Sequence, residues 1–208
     1  MPRAEASRVD EPVASGKREL ILRAAIAVFA RRGFFNSQVA DVARQAGVAA
    51  GTVYLYFRSK DELLVSIFER TMKEARAEAR AALDGLEDPV ERLEALARVH
   101  LGRLGRDRDL AVVFQVELRQ STKFMERLST TYLREYLGLM RDTIAGAQAR
   151  GAFRKELNPT VAAKVFFGAL DEMATNWILS KRRYSLVNDA NGVLDILLNG
   201  FTTKGAKS

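Results

Sequence analysis

Helical periodicity along nearly the whole chain is the feature that most restricts its fold. Between about Lys17 and Phe201, apolar residues recur at steps of three and four, as they do on one face of an amphipathic helix. We find no sustained two-residue alternation bounded by turn residues, so the sequence predicts no β-strands. We therefore predict an all-α protein of about nine helices. The predicted helices span about 17–32, 37–46, 49–56, 59–82, 88–104, 109–120, 122–150, 158–181 and 186–202.

Composition excludes several classes of protein. The 208 residues contain no cysteine, which excludes a disulfide scaffold, a thiolate-bound metal site and a catalytic cysteine. The single histidine, His100, excludes a histidine-rich metal site, and we expect it in a surface or capping position. We find neither an apolar run long enough to span a membrane nor an apolar signal segment. We therefore expect a soluble, cytoplasmic protein with no cofactor, no metal and no membrane contact.

Positive charge is concentrated in the first third of the chain. The net charge of the whole chain is +7, and residues 1–60 carry 10 basic and 5 acidic side chains. Residues 1–16 mix Pro, Gly, Ser and charged residues without an apolar period, so we predict a disordered arm there. The basic excess indicates a polyanion-binding head on a nearly balanced body, although a solvated basic surface would have the same composition.

A short helix, a glycine turn and a second short helix follow one another between Ser37 and Phe57. This order is typical of a helix-turn-helix, in which the second helix enters the major groove of DNA. Gly47 lies at the sharp turn, where positive φ is tolerated best without a Cβ. The small core predicted between the two helices consists of Val39, Val42, Ala43, Val48 and Val53. The exposed side of the second helix carries Ala50, Gly51, Thr52 and Leu55, which are small enough for close approach to DNA.

Residues 17–64 resemble the DNA-binding domain of the TetR family of transcriptional repressors. The resemblance rests on Ala43…Ala46-Gly47-Val48, on Gly51-Thr52-Val53-Tyr54…Tyr56-Phe57 and on Ser59-Lys60-Asp61-Glu62-Leu63. It implies phosphate contacts from Ser37, Gln38, Tyr54, Tyr56 and Lys60, and base contacts from Ala50, Gly51, Thr52 and Leu55. Ala49 departs from the serine common in the family, so the cap of the third helix must come from elsewhere. With few long polar side chains, base recognition would depend on methyl contacts and on DNA shape.

The C-terminal part is similar to the acyl-CoA-responsive repressors of fatty-acid degradation, the FadR-type members of the same family. The similar segments are Asp109–Ser121, then Gly168…Asp171-Glu172…Thr175…Trp177, and Tyr184-Ser185-Leu186-Val187. The resemblance implies a ligand-binding and dimerisation domain over 85–203, to which helix four connects the head through about residue 82. It further implies a homodimeric repressor that binds a palindromic operator and is released by long-chain acyl-CoA.

Such a ligand needs an apolar tunnel for its acyl chain and cations for its coenzyme A phosphates. The candidates for the tunnel are Val113, Phe114, Leu118, Phe166, Phe167, Leu170, Met173 and Trp177. The candidate cations are Arg103, Arg106, Arg108, Arg119 and Lys123. Ordinary core packing and a solvated surface would explain the same residues. Polar residues at 115, 117, 119 and 120 interrupt an apolar helix, so we expect some of them to pair with other helices or a ligand.

The last two predicted helices combine small and branched residues, which suits either a four-helix dimer interface or an internal core. The last helix contributes Leu194, Leu197, Leu198 and Phe201. Three alternative functions stay open. In the first, the protein is a repressor of the same family whose effector is a different apolar molecule, such as a drug or a hormone-like lipid. In the second, it is an enzyme, which the absence of a catalytic constellation disfavours. In the third, it is a nucleoid-type binder, which discriminates little between operator and random DNA.

Overall fold

The computed structural model describes residues 11–120, 124, 126, 129–182 and 184–199. Within these residues the chain forms nine α-helices and no strand, which confirms the all-α prediction. The helices are α1 (Glu11–Arg32), α2 (Val39–Ala46), α3 (Ala50–Tyr56), α4 (Lys60–Leu83), α5 (Pro89–Arg106), α6 (Arg108–Val112), α7 (Arg134–Ala149), α8 (Pro159–Leu179) and α9 (Asp189–Asn199). In the part of the chain that the structure describes, no helix is both long and apolar enough to cross a membrane.

The chain divides into two compact units, residues 1–67 and 68–208. The boundary lies within α4, so the second part of this helix belongs to the second unit and is more than the connection that the sequence predicted. Burial explains the difference, because one face of α4 after the boundary is apolar and enclosed. The buried residues on that face are Phe68, Met72, Ala75, Ala79 and Leu83.

In the first unit, α1 is described from Glu11 onward, so residues 11–16 of the predicted disordered arm are helical. The rest of the predicted arm lies outside the described residues. The buried side of α1 includes Ile21, Ala25 and Phe29, whereas Leu20 is exposed.

The α2–turn–α3 segment has the predicted helix-turn-helix form. Gly47 ends α2 with φ of 67°, and the N–H of Val48 donates to the carbonyl of Ala43 at 3.0 Å. Val39, Val42 and Ala43 are buried on α2, and Val53 is buried on α3, as the sequence predicts. Because α3 has only seven residues and buries one of them, most of its side chains face outward.

The second unit is a helical body in which α5, α7 and α8 pack together. Its helix starts follow standard capping chemistry, since Asp88 caps α5 and Asn158 caps α8, each followed by proline. The predicted helix over 109–120 is interrupted. After α6 the chain makes a π-helical turn at Val113–Glu117 and a 3₁₀ turn at Leu118–Gln120. A second π-helical turn, Ser129–Leu133, precedes α7.

Candidate functional site

The outer surface of α3 carries solvent-exposed apolar and aromatic side chains. Leu55 is 83% exposed and Tyr54 is 54% exposed. Ala50 and Gly51 are also exposed, whereas Thr52 and Tyr56 are half-buried. All six residues that the sequence assigned to DNA on this helix are therefore at least partly accessible. A lone exposed leucine needs no explanation, but a helix that buries one residue and exposes this set is suited to a partner surface.

The N-terminus of α2 is held in place by Asp41. Its carboxylate accepts the backbone N–H of Gln38 at 3.0 Å and pairs with Arg32 at 2.8 Å and Arg44 at 3.3 Å. The hydrogen bond from the Gln38 backbone, helped by the two arginines, holds the pKa of Asp41 below its ordinary value. Gln38 is exposed at the N-cap position, so its side chain is accessible.

Ser37 and Lys60, both predicted to contact phosphates, have other partners in the structure. Ser37 is buried, and its hydroxyl donates to the carbonyl of Gly33 at 2.6 Å. The ammonium group of Lys60 donates to the carbonyls of Phe34, Phe35 and Ser37 at 2.7, 3.3 and 2.8 Å. It also lies 4.4 Å from the centroid of the Phe34 ring. An ammonium has three N–H donors, and in this structure all three hold the α1–α2 loop.

The second unit contains a cavity of about 280 Å³, close to the lower end of the range usual for ligand pockets. Most of its lining is apolar, and the lining side chains come from α4, α5, α6 with its following turns, α7 with the turn before it, and α8. They are Phe68, Thr71, Met72, Ala75, His100, Arg103, Leu104, Leu110, Phe114, Gln115, Leu118, Arg119, Leu133, Tyr136, Phe167 and Asp171. Of the predicted ligand residues, Phe114, Leu118, Phe167, Arg103 and Arg119 are among them.

The other predicted tunnel residues do not line the cavity. Val113, Phe166 and Leu170 are buried in the core, in agreement with the alternative that ordinary core packing explains their helical spacing. Met173 is half-buried away from the lining. Trp177 donates its indole N–H to the carbonyl of Tyr184 at 3.0 Å. Core packing therefore accounts for Val113, Phe166 and Leu170.

Two predicted cations that the structure describes, Arg106 and Arg108, are also absent from the cavity lining. Arg108 lies over the Trp177 ring and donates to the last carbonyls of α8, including that of Ile178 at 2.6 Å, so it caps that helix. Arg106 is exposed and lies 3.7 Å from Glu78. Lys123 lies outside the described residues.

A polar network forms one side of the cavity. Gln115 donates to Asp171 at 2.8 Å, Arg119 forms an ion pair with the same carboxylate, and the Thr175 hydroxyl lies 3.2 Å from the Gln115 amide oxygen. This confirms the prediction that polar residues in the 109–120 segment pair with another helix. The network begins at a π-helical turn, a distortion frequent at functional sites. Arg103 is paired as well, with Glu74 at 2.7 Å and Glu78 at 3.0 Å.

His100 is on the cavity wall rather than in the surface or capping position that the sequence suggested. Its ring centroid lies 5.3 Å from that of Phe167 and 6.0 Å from that of Tyr136. Burial lowers the pKa of His100 to about 4, against the opposing effect of the Asp171 carboxylate. A sequence signal existed, since His100 follows Leu93, Leu96 and Ala97 at helical spacing on the apolar face of α5.

Three buried polar atoms around the cavity have no hydrogen-bond partner among the described residues. They are Thr71 Oγ1, His100 Nε2 and the Tyr136 hydroxyl oxygen. Burial also raises the pKa of the Tyr136 hydroxyl, so it stays protonated at neutral pH. Within the described ranges, no group of three or more acidic or histidine side chains is arranged to hold a metal ion.

The outer faces of α8 and α9 expose apolar side chains. On α8, Leu179 is 71% exposed, and Val161 and Val165 are exposed as well. On α9, Ile196, Leu197 and Leu198 are exposed one after another. Phe201, which the sequence placed in the same surface, lies outside the described residues. Clustered apolar exposure on two neighbouring helices is typical of an association surface.

Comparisons with known proteins agree over both units. Residues 21–67 match the bacterial regulatory proteins of the tetR family, and residues 68–200 match the C-terminal region of YsiA-like protein. The fatty acid metabolism regulator protein of Bacillus subtilis is 33% identical over 88% of this chain and 95% of its own length.

Two solved structures are similar to this chain over both units. The fatty acid degradation regulator FadR from Bacillus halodurans has a TM-score of 0.85 and 35% identity, covering 88% of this chain and 95% of that one. The transcriptional regulator FadR from Bacillus subtilis, in complex with stearoyl-CoA, has a TM-score of 0.84 and 32% identity, covering 88% and 99%.

Proposed function

Because the chain belongs to the TetR family of bacterial regulatory proteins, we propose that it represses genes of fatty-acid degradation and is released from DNA by long-chain acyl-CoA. The cavity of the second unit carries this proposal. Its apolar lining of aromatic and aliphatic side chains suits an acyl chain, and the similar Bacillus subtilis regulator binds stearoyl-CoA. The relatives are regulators, which also favours regulation over catalysis.

DNA binding is the task of the first unit. Tyr54 and Tyr56 contact phosphates together with Gln38, and the small outer side chains of α3 approach the bases. Ala50, Gly51, Thr52 and Leu55 carry few hydrogen-bonding groups, so thymine methyl groups and DNA shape supply much of the recognition. Ser37 and Lys60 act indirectly, since their hydrogen bonds fix the loop that precedes α2.

The active form is a homodimer that uses the exposed apolar faces of α8 and α9. Pairing these faces in two chains removes side chains such as Leu179 and Leu197 from water. Two first units related by a twofold axis then bind a palindrome whose half-site centres lie about one helical turn, or a near multiple, apart.

The coenzyme A end of the ligand meets the cations that remain accessible. Arg119 lines the cavity with its side chain 46% exposed, and Arg106 is more exposed still. Lys123 follows Arg119 closely in sequence. Binding shifts the turns after α6 against α4, whose side chains line the opposite wall of the cavity. A ligand releases DNA only if it binds better to the conformation that fits the operator poorly.

Release from DNA by acyl-CoAs of increasing length tests the proposal. A duplex selected by the protein from a random library is bound, and its release is followed by fluorescence anisotropy. Each fully buried methylene strengthens release about fourfold until the cavity is full. Free coenzyme A has little effect, and a free fatty acid is weaker than its thioester. If every chain length fails, or if the free acid equals the thioester, the effector is a different apolar molecule and DNA binding stands.

A matched pair of variants connects the release to the cavity. Ala75→Leu fills part of the cavity, so the optimal acyl chain becomes shorter. Ala77→Leu adds the same side chain to an exposed position of α4 and leaves the optimum unchanged. An equal shift in both variants would show that the ligand binds elsewhere.

A further inference from the structure

The three buried polar atoms without partners require an explanation. Thr71 and Tyr136 are more than nine-tenths buried, and His100 contacts the Tyr136 ring. Leaving a buried hydroxyl or imidazole nitrogen without a hydrogen bond is costly, so native proteins retain few such atoms. All three residues line the same cavity. Their shared position indicates a polar atom of a ligand as the missing partner.

The charged side chains near Thr71, His100 and Tyr136 decide which kind of ligand atom fits between them. Both arginines of the cavity lining already pair with carboxylates, Arg103 with Glu74 and Glu78, and Arg119 with Asp171. Asp171 itself lines the cavity. A carboxylate at this place would therefore meet negative charge and cations that are already neutralised.

The protonation states point to a neutral acceptor. His100 is uncharged at neutral pH because burial lowers its pKa, and Tyr136 keeps its proton because burial raises its pKa. The Thr71 and Tyr136 hydroxyls can each donate one hydrogen bond. Neutral donors in an apolar cavity suit an uncharged oxygen that brings no desolvated charge with it.

We propose that Thr71, His100 and Tyr136 form a hydrogen-bonding site for the thioester carbonyl oxygen of the acyl-CoA effector. This inference rests on the proposed function and gives a physical reason for a thioester to bind better than a free acid. The thioester carbonyl is uncharged and is the last polar atom before the hydrocarbon chain. Binding it here directs the chain along the apolar lining formed by Phe68, Phe114 and Leu118.

A binding cycle between one hydroxyl and one carbonyl tests the proposal directly. Affinities of the full-length protein are measured by calorimetry, without DNA, for palmitoyl-CoA and for hexadecyl-CoA, its thioether, in which a methylene replaces the carbonyl. Tyr136→Phe should weaken palmitoyl-CoA binding about 3- to 10-fold and leave hexadecyl-CoA binding unchanged. Because the hydroxyl has no partner in the free protein, its removal should not lower the melting temperature.

Matched variants separate this site from general effects of mutation. Tyr132→Phe removes the hydroxyl of a tyrosine outside the cavity lining and should leave both affinities unchanged. Thr71→Val repeats the test with a side chain of equal shape, and Thr143→Val is its control, since Thr143 bonds to the carbonyl of Leu139. Thr71→Val keeps the proposal testable if Tyr136→Phe does not fold.

The outcomes are distinct. Equal losses for thioester and thioether, or no loss for either, would overturn the carbonyl site while acyl-CoA binding remained. Absence of binding of both ligands to the unaltered protein would overturn the proposed effector, and the carbonyl site with it.

Discussion

The two units depart from the usual distribution of polar and apolar groups in opposite directions. In the first unit, apolar and aromatic side chains lie outside, as Leu55 and Tyr54 do on α3. In the second, polar atoms lie inside without partners, as the Tyr136 hydroxyl does. Neither arrangement helps the isolated chain to fold, because exposed apolar groups and unpaired buried polar groups are both unfavourable. We propose that each departure lies where another molecule binds, DNA at α3 and the effector at the cavity.

Two basic side chains show the same contrast in detail. The Lys60 ammonium is surrounded by three backbone carbonyls that compensate its charge. His100 lies among the rings of Tyr136 and Phe167, and burial lowers its pKa so that it is neutral. In the first unit a charged side chain fixes a loop, whereas in the second the imidazole on the cavity wall is uncharged at neutral pH.

The second unit also has an exposed apolar surface, on α8 and α9, and the largest expected effect on assembly and operator affinity concerns this surface. Leu197→Asp introduces a charge that cannot be buried between two chains, so the protein should sediment as a folded monomer. A monomer binds one half-site at a time and should lose about 10²- to 10⁴-fold in operator affinity. Sedimentation, circular dichroism and anisotropy measure assembly, folding and affinity separately.

Ala81→Asp serves as the control, since it adds the same charge to an exposed position of α4 and should remain a dimer. A folded dimer of Leu197→Asp with full operator affinity would contradict the placement of the interface. It would also mean that exposed apolar groups in this protein do not mark association surfaces in general.

Lys60→Met tests the role of the fixed charge in the first unit. Loss of three hydrogen bonds from an ammonium group should cost about 3 kcal/mol in the free energy of unfolding of this unit. Operator affinity should fall for all sequences alike, while the slope of log affinity against log salt stays nearly constant. A direct phosphate contact would instead lower that slope by about 0.9. Lys73→Met, at an exposed lysine of α4, controls for loss of charge.

The buried imidazole predicts a specific dependence of stability on pH. At pH 7 His100 is neutral in the folded chain and mostly neutral in the unfolded chain. Below its ordinary value of 6.5 the unfolded chain gains a proton that the folded chain, with a pKa of about 4, does not bind. Stability should therefore fall as the pH falls through this window, by about 2 kcal/mol between pH 7 and pH 5.

Urea unfolding at both pH values measures this loss, and His100→Gln, which does not titrate, should remove the part due to the imidazole. An identical decrease in the variant and the unaltered protein would show that His100 titrates normally. The cavity wall would then accept a charged imidazole, and the contrast between a charged Lys60 and a neutral His100 would not hold.

The fold and the α3 surface were predictable because they depend on local order. Apolar spacing identifies the helices, and Gly47 marks the turn where φ becomes positive. The seven-residue helix α3 buries Val53 alone, and its other side chains are exposed or half-buried. The role of Lys60 had no local signal, because its partners lie 23 to 26 residues earlier in the chain.

The cavity was only partly predictable, for a geometric reason. Phe166 and Phe167 are neighbours on α8, yet the first is in the core and the second lines the cavity. Successive side chains of a helix point about 100° apart. Whether a given side chain faces the core or the cavity depends on how the other helices pack around it. Thr71 and Tyr136 come from α4 and α7, which no sequence pattern placed together.

The smallest expected effect is the most specific test of the exposed apolar surface of α3. Leu55 is so exposed that Leu55→Ser should change stability by no more than about 0.5 kcal/mol. If its side chain contacts a thymine methyl group, replacing that thymine by deoxyuridine should weaken binding of the unaltered protein by about 1 kcal/mol. The same replacement should not affect Leu55→Ser, because the contact is already absent. Tyr54→Phe should weaken binding to all sequences alike and remain sensitive to deoxyuridine, since phosphates carry no base identity. Equal sensitivity of Leu55→Ser and the unaltered protein at every operator thymine would place the base contact on another residue of α3.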